Sequence, residues 1–179
     1  MPTPASPDRP RGLSGSVGLF LEHTPCASSA PAFAQTGDDY RDLDAATEAL
    51  FAAQAVEAGP GHPVPQAVEA ETPLSHARAE ALAARQGVNF AGRHVLTVIG
   101  CGSECQAAYV LNPAPGDRFA NVVSGLGVDF RADSALLIVN PPRELTYFGA
   151  DPVPERLRPR CLVYAQGRFG DIDCEGYPR

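Results

Sequence analysis

Cys101 and Cys105 lie in Gly100-Cys101-Gly102-Ser103-Glu104-Cys105, the stretch of this chain whose residue types and spacing are most suggestive of chemistry. Thiols four positions apart across a glycine-bearing turn can close a small disulfide loop, exchange disulfides, or ligate a soft metal. Thiol exchange works best at C-x-x-C spacing on a helix N-terminus, which stabilises the attacking thiolate. Here the spacing is C-x-x-x-C between two strand-like runs, and Glu104 raises rather than lowers a neighbouring thiol's pKa. The structural reading is therefore preferred: a hairpin loop closed by Cys101 and Cys105, with glycine supplying positive φ. Such a five-residue loop is worth roughly 2 kcal/mol in the loop-entropy account. Cys161 and Cys174 flank a turn near Gln166-Gly167, and a 14-residue loop between them is worth roughly 3 kcal/mol. Four cysteines allow three pairings, and spacing alone leaves all three open. Zinc would want two tight C-x-x-C pairs, which Cys161 and Cys174 do not make, so no metal or cofactor is expected.

Other reactive side chains are scattered. Asp171 and Asp173, two apart on a strand, point to the same face and are candidates for a carboxylate dyad or calcium ligands. Near a chain end, solvated carboxylates are the preferred reading, with a hydrolase the weaker alternative. Asp129 and Asp133 form a second acidic pair. His94 follows Arg93 at a strand start near the cysteine hairpin and reads as a half-exposed strand residue rather than a general base. His62 and His76 share no H-x-x-x-H spacing. Neither a G-x-S-x-G elbow, a P-loop nor a dinucleotide fingerprint occurs in the region after residue 34. The candidate functional surface is thus Arg93, His94, Gly100, Gly102, Ser103 and Glu104.

The elements that must position these residues follow from the pattern. The chain has 179 residues, 44% of them hydrophobic, which suits one domain with a real core. Residues 1–34 read as a leader: Arg9 and Arg11, a modest apolar stretch from Gly12 to Leu21, then Ala32-Phe33-Ala34 before Gln35. An A-x-A ending is what signal peptidase accepts, so cleavage is expected after Ala34. Removing Cys26 with the leader leaves an even four cysteines, as an oxidising compartment favours. Localisation is expected to be periplasmic or secreted.

Residues 35–87 read as an acidic helical region. Asp38 and Asp39 suit a helix N-cap, and Leu43, Ala46, Ala49, Leu50 and Ala53 recur at helical spacing. Gly59-Pro60-Gly61 stops that helix, and residues 59–71 form a proline-rich connector. Thr72-Pro73 starts a second helix that carries Leu74, Ala77, Ala81 and Leu82 and ends at Gly87.

Residues 88–179 complete the same single domain as short strand-like runs. These are His94–Cys101, Cys105–Asn112, Phe119–Ser124, Val128–Asp133, Ala135–Asn140, Leu145–Phe148, Cys161–Ala165 and Phe169–Asp173. Connections this short join antiparallel neighbours. The expected fold is α+β, mainly β: an antiparallel meander or curled sheet of about 6–8 short strands, with two short helices before it and on one side.

Charge narrows the function classes. The formal charge is -7. From Asp38 to Glu80 nine acids face Arg41 and Arg78, whereas after Glu80 ten acids meet ten arginines. The absence of a basic surplus argues against nucleic acid as a partner. No run approaches the roughly 18 apolar residues of a membrane span.

Asn89-Phe90-Ala91-Gly92-Arg93-His94, followed by Gly100-Cys101-Gly102-Ser103-Glu104-Cys105, resembles a group of small exported proteins of Gram-negative bacteria. Their pattern is Asn-Phe-Ala-Gly-His-aromatic, a short strand, then Gly-Cys-Gly-x-x-Cys. The likeness continues through Asp129-Phe130-Arg131-Ala132-Asp133-Ser134, Leu136-Leu137-Ile138-Val139 and a terminal hairpin, over roughly residues 87–173. This chain has Arg93-His94 where the group has His-aromatic. The resemblance implies export and a β-rich fold and carries no activity. The expected function is an exported, non-enzymatic binding module, inhibitor- or immunity-like, for another envelope or secreted protein. A thiol-disulfide oxidoreductase using Cys101 and Cys105 is the alternative.

Overall fold

In the computed structural model, residues 35–57, 74–111 and 120–179 are described. The leader with its cleavage site and Cys26, the proline-rich connector, the Thr72-Pro73 helix start and the Pro113–Asp117 turn lie outside them. Gly37–Tyr40 makes a 3-10 turn, α1 spans Asp44–Ala53 and α2 spans Leu74–Ala83. Seven strands follow: β1 (Val95–Gly102), β2 (Cys105–Leu111), β3 (Ala120–Ser124), β4 (Val128–Phe130), β5 (Leu136–Val139), β6 (Arg160–Ala165) and β7 (Arg168–Ile172). Between β5 and β6 lies a one-turn helix α3, Pro142–Leu145.

The strands form two antiparallel sheets, β1-β2-β3 and β4-β5-β6-β7, each with neighbours in chain order. Helices precede strands and the fold is α+β, mainly β, as the residue pattern leads one to expect. The meander is split, however, and Asn140 shows how. Its side-chain oxygen accepts the N–H groups of Gly125 (3.0 Å) and Leu126 (2.9 Å), and its own N–H donates to the Gly127 carbonyl. The Gly125-Leu126-Gly127 link is thereby tied to the end of β5 and leads the chain from one sheet to the other.

Period-two alternation builds the layers. Leu96 of β1 with Ala108 and Val110 of β2 packs against Leu137 and Val139 of β5 and Leu162 and Tyr164 of β6, with Phe90 at the centre. The opposite face of the first sheet, Val95, Ile99, Ala107, Tyr109 and Leu111, packs on Ala79 and Ala83 of α2. On the second sheet, Leu136, Ile138 and Cys161 pack on Leu50 and Phe51 of α1. The helices therefore cover opposite outer faces, not one side as expected, because both sheets carry two apolar faces. β5 shows this best, with all four residues buried.

Two local expectations are corrected. Leu145–Phe148 is helical, not a strand. Pro142 at the start of α3 supplies a preset φ, Thr146–Phe148 continues as a 3-10 turn, and Gly149 at φ 51° ends it. This places Leu145 against Tyr40, Val153 and Leu157, a burial that outweighs the strand preference of Thr, Tyr and Phe. Asp38 and Asp39 lie within the 3-10 turn instead of capping α1. Asp39 accepts the Thr36 N–H at 2.7 Å, and the chain reverses at Asp42 (φ 59°) before α1 begins.

Candidate functional site

The cysteines pair as Cys101–Cys105 and Cys161–Cys174, with Cα separations of 5.1 and 5.4 Å. The first closes the β1–β2 hairpin, whose tip bulges between Gly100 and Gly102. Gly102 takes φ 140°, and the second left-handed position falls on Glu104 (φ 51°), not on glycine. Gly100, Gly102, Ser103 and Glu104 are exposed. Glu104 pairs with Arg156 at 3.0 Å, joining the tip to a 3-10 turn at Glu155–Leu157. With both partners exposed, such a pair contributes about 0–1 kcal/mol. The disulfide sits on a hairpin and not at a helix N-terminus, so no helix dipole stabilises a thiolate there. The second disulfide is structural in character: Cys161 is 1% exposed and ties β6 to the chain after β7.

His94 is 7% exposed, not the half-exposed strand residue expected. It precedes β1, and its ring meets that of Tyr164 edge-on, with centroids 4.8 Å apart. Its backbone N–H donates to the Phe90 carbonyl, closing a loop of which Phe90 is the buried core. Asn89 brackets Leu96, accepting its N–H at 2.7 Å and donating to its carbonyl at 3.0 Å. Arg93 stays exposed and shares an open depression with His94 and Tyr164. Asn89–His94 is thus a hydrogen-bonded turn feeding β1.

Asp171 and Asp173 each pair with a different arginine. Asp171 takes Arg160 at 2.8 Å and Asp173 takes Arg179, all four side chains being exposed.

A cleft of about 580 Å³ lies elsewhere, between residues 40–43 with α1 on one wall and β4 with α3 on the other. Phe51 and Phe130 contribute apolar surface, and charges line it. Arg131 makes a bidentate pair with Glu48, its Nη1 donating at 2.8 Å, and its guanidinium lies 4.3 Å from the Phe51 ring centre. Arg143 pairs with Asp129, whose side chain is 18% exposed, and donates Nε to Glu144 at 3.1 Å. The hydrogen bond from Arg131 holds the Glu48 carboxyl below its ordinary pKa, and the reciprocal bonds raise Arg131 and Arg143. Asp42 and Asp44 line the same cleft and take no arginine among the described residues.

The sequence pattern does not single out this cleft as a site. Glu48 and Arg131 stand 83 positions apart, and no spacing rule links them; the run of acids at 38–48 was the one signal. Among the described residues no helix is long and apolar enough to cross a membrane, which leaves strands aside. Comparison with protein-family descriptions, with curated proteins and with solved structures returns no match.

Proposed function

We propose that this chain is an exported binding module, periplasmic or secreted, that engages a basic segment of another envelope or secreted protein through the α1–β4 cleft. The observation that carries this reading is the charge around the cleft. Among the residues lining it, Asp42, Asp44, Glu48 and Asp129 face Arg41, Arg131 and Arg143, a net of -1. Arg41 is paired with Asp38 at 2.7 Å, Arg131 with Glu48 across the cleft and Arg143 with Asp129 on one wall, so the carboxylates left over are Asp42 and Asp44. Carboxylates without a cationic partner attract the opposite charge and favour its capture. Apolar surface beside those carboxylates suits the aliphatic stem of a lysine or arginine. Two disulfides and the leader-like start support export.

Titration with hexa-arginine, followed by fluorescence anisotropy, tests this reading. Binding that weakens about tenfold in the D42N/D44N variant, each lost charge pair being worth up to about 1 kcal/mol, supports it. The charge-matched D171N/D173N variant is expected to bind like the parent. Equal loss in both variants, or no binding, overturns the cleft as the contact surface.

A further inference from the structure

The tip of the β1–β2 hairpin reaches the place where the chain passes from one sheet to the other. The Glu104 carbonyl oxygen lies 3.7 Å from where a Cβ on Gly125 would stand, and the Leu157 side chain presses on the same spot. The Glu104 carboxylate accepts Arg156 Nη2–H at 3.0 Å. The Arg156 carbonyl in turn accepts the Asn140 side-chain amide at 3.3 Å, and the oxygen of that amide holds the Gly125 and Leu126 N–H groups. Glu104, Gly125, Asn140, Arg156 and Leu157 line one small depression. A continuous run of contacts thus leads from Glu104, the neighbour of Cys105, to the link between the sheets.

The near end of this run is open to thiols. Cys101 is exposed, whereas Cys161 of the other disulfide is 1% exposed, and attack on sulfur needs access. Glu104 holds a left-handed backbone (φ 51°) that residues other than glycine rarely adopt, and such a conformation persists where its surroundings impose it. The Cys101–Cys105 bond closes a small ring around it. Both flanks have anchors of their own. Below the tip, β1 and β2 are held by buried Leu96, Ile99, Ala108 and Val110, and the turn carrying Arg156 is held by Leu157, packed with Tyr40, Leu145 and Val153.

We propose that the Cys101–Cys105 disulfide is a redox-operated latch on the sheet junction. Closed, it holds Glu104 against Arg156 and steadies the Gly125-Leu126-Gly127 link; opened by a dithiol, it frees the tip and loosens that link while both sheets stay folded. In opening, a thiolate of the dithiol attacks Cys101 Sγ, the S–S bond breaks, and Cys105 leaves as a thiolate that takes a proton. The dithiol's second thiol then displaces Cys101, which takes the other proton, and the dithiol leaves as its own disulfide. Two cysteines are reduced and one dithiol is oxidised. The latch shares no residue with the α1–β4 cleft, so its failure leaves that reading untouched.

The test uses the full chain labelled with nitrogen-15 and dithiothreitol as the dithiol, with alkylation and mass analysis verifying that Cys161–Cys174 stays closed. Reduction is expected to move the Gly125 and Leu126 amide and Asn140 side-chain resonances, reversibly on reoxidation, and to leave Gly170 on edge strand β7 unmoved. Arg156→Gln keeps the carbonyl that Asn140 uses and removes the ion pair. It is expected to cut those reduction-induced shifts by about half or more, since members of one network do not act additively. Cys101→Ser combined with Cys105→Ser is expected to show the reduced spectrum without dithiol, and serves should dithiothreitol open both disulfides. Shifts confined to residues 100–105, shifts of equal size in Arg156→Gln, shifts that spread to β7, or a serine variant that does not fold overturn the latch.

Discussion

Gly92 lies against the carbonyl of Glu57 so closely that a Cβ on residue 92 would come within 2.3 Å of that oxygen. This contact joins the turn before β1 to the chain leaving α1. Around it the Gly92 N–H donates to the Ala132 carbonyl at 2.6 Å and the Ala91 N–H to the Ser134 carbonyl at 3.1 Å, while the Val56 N–H donates to the Asp133 carbonyl and the Ala135 N–H to that of Gln54. The Ser134 hydroxyl lies 3.0 Å from the carbonyls of Phe51 and Gln54 and accepts the Leu136 N–H. Three segments distant in sequence are knitted here, so the Asn-Phe-Ala-Gly motif is explained by architecture.

Gly92→Ala is therefore expected to destabilise the fold by about 3 kcal/mol or more, since φ is 74° and the clash is with backbone. Gly100→Ala, which meets nothing within 4 Å, is expected to stay within about 0.5 kcal/mol of the parent. Urea denaturation of both variants measures the contrast.

Asn140 offers a second contrast. It is 2% exposed, takes φ 53°, and satisfies two backbone N–H groups. Asn140→Ala leaves both donors without their acceptor and sets alanine in a left-handed conformation, for an expected cost of about 3–5 kcal/mol. Asn140→Gly removes the same hydrogen bonds without the backbone strain, and is expected to recover about 1 kcal/mol of that loss. Equal costs would show that the side-chain bonds alone matter.

The two disulfides are expected to part company under mild reduction. Cys101 is exposed and Cys161 is buried, and exchange requires access to sulfur. Timed dithiothreitol treatment with alkylation is expected to label Cys101 and Cys105 first. Replacing that pair by serine is expected to cost about 2 kcal/mol, and replacing Cys161 and Cys174 about 3 kcal/mol or more. Insulin-reducing activity lost in Cys101→Ser would instead favour thiol exchange.

Alkaline pH is expected to weaken the fold through Tyr40 and Tyr177. Burial raises both phenols above the ordinary 10.0, against a hydrogen bond from Thr47 that lowers Tyr177 and the Arg158 charge that lowers Tyr40. A phenol with a raised folded pKa stabilises fully below the unfolded value and loses that contribution as pH rises through the folded one. Tyr177→Phe is expected to flatten the stability curve above about pH 10. An unchanged curve in Tyr177→Phe and Tyr40→Phe would place the alkaline loss elsewhere.

Local chemistry made much of this fold legible in the sequence. Glycine and proline punctuation separates β1, β2, β5, β6 and β7, and period two marks their faces. The stretch Leu145–Phe148 carries strand-favouring residues yet is helical, because a proline start and burial of Leu145 override residue preference. The second sheet was not foreseen because the cue is the bonding of Asn140, 14 and 15 positions from its partners. The cleft stayed hidden for the same reason: Glu48, Asp129, Arg131 and Arg143 meet only once α1 lies on the second sheet.

The most direct measurement is photo-crosslinking from beside the cleft in the full chain. A photoreactive residue at exposed Ala45, beside Asp44, is compared with one at Ser103 on the hairpin tip, and the adducts are sequenced. A discrete adduct from Ala45, mapping to a segment rich in lysine or arginine and lost at high salt, is the predicted result. Crosslinking from Ser103 alone, or adducts from Ala45 on acidic or neutral segments, would contradict the account.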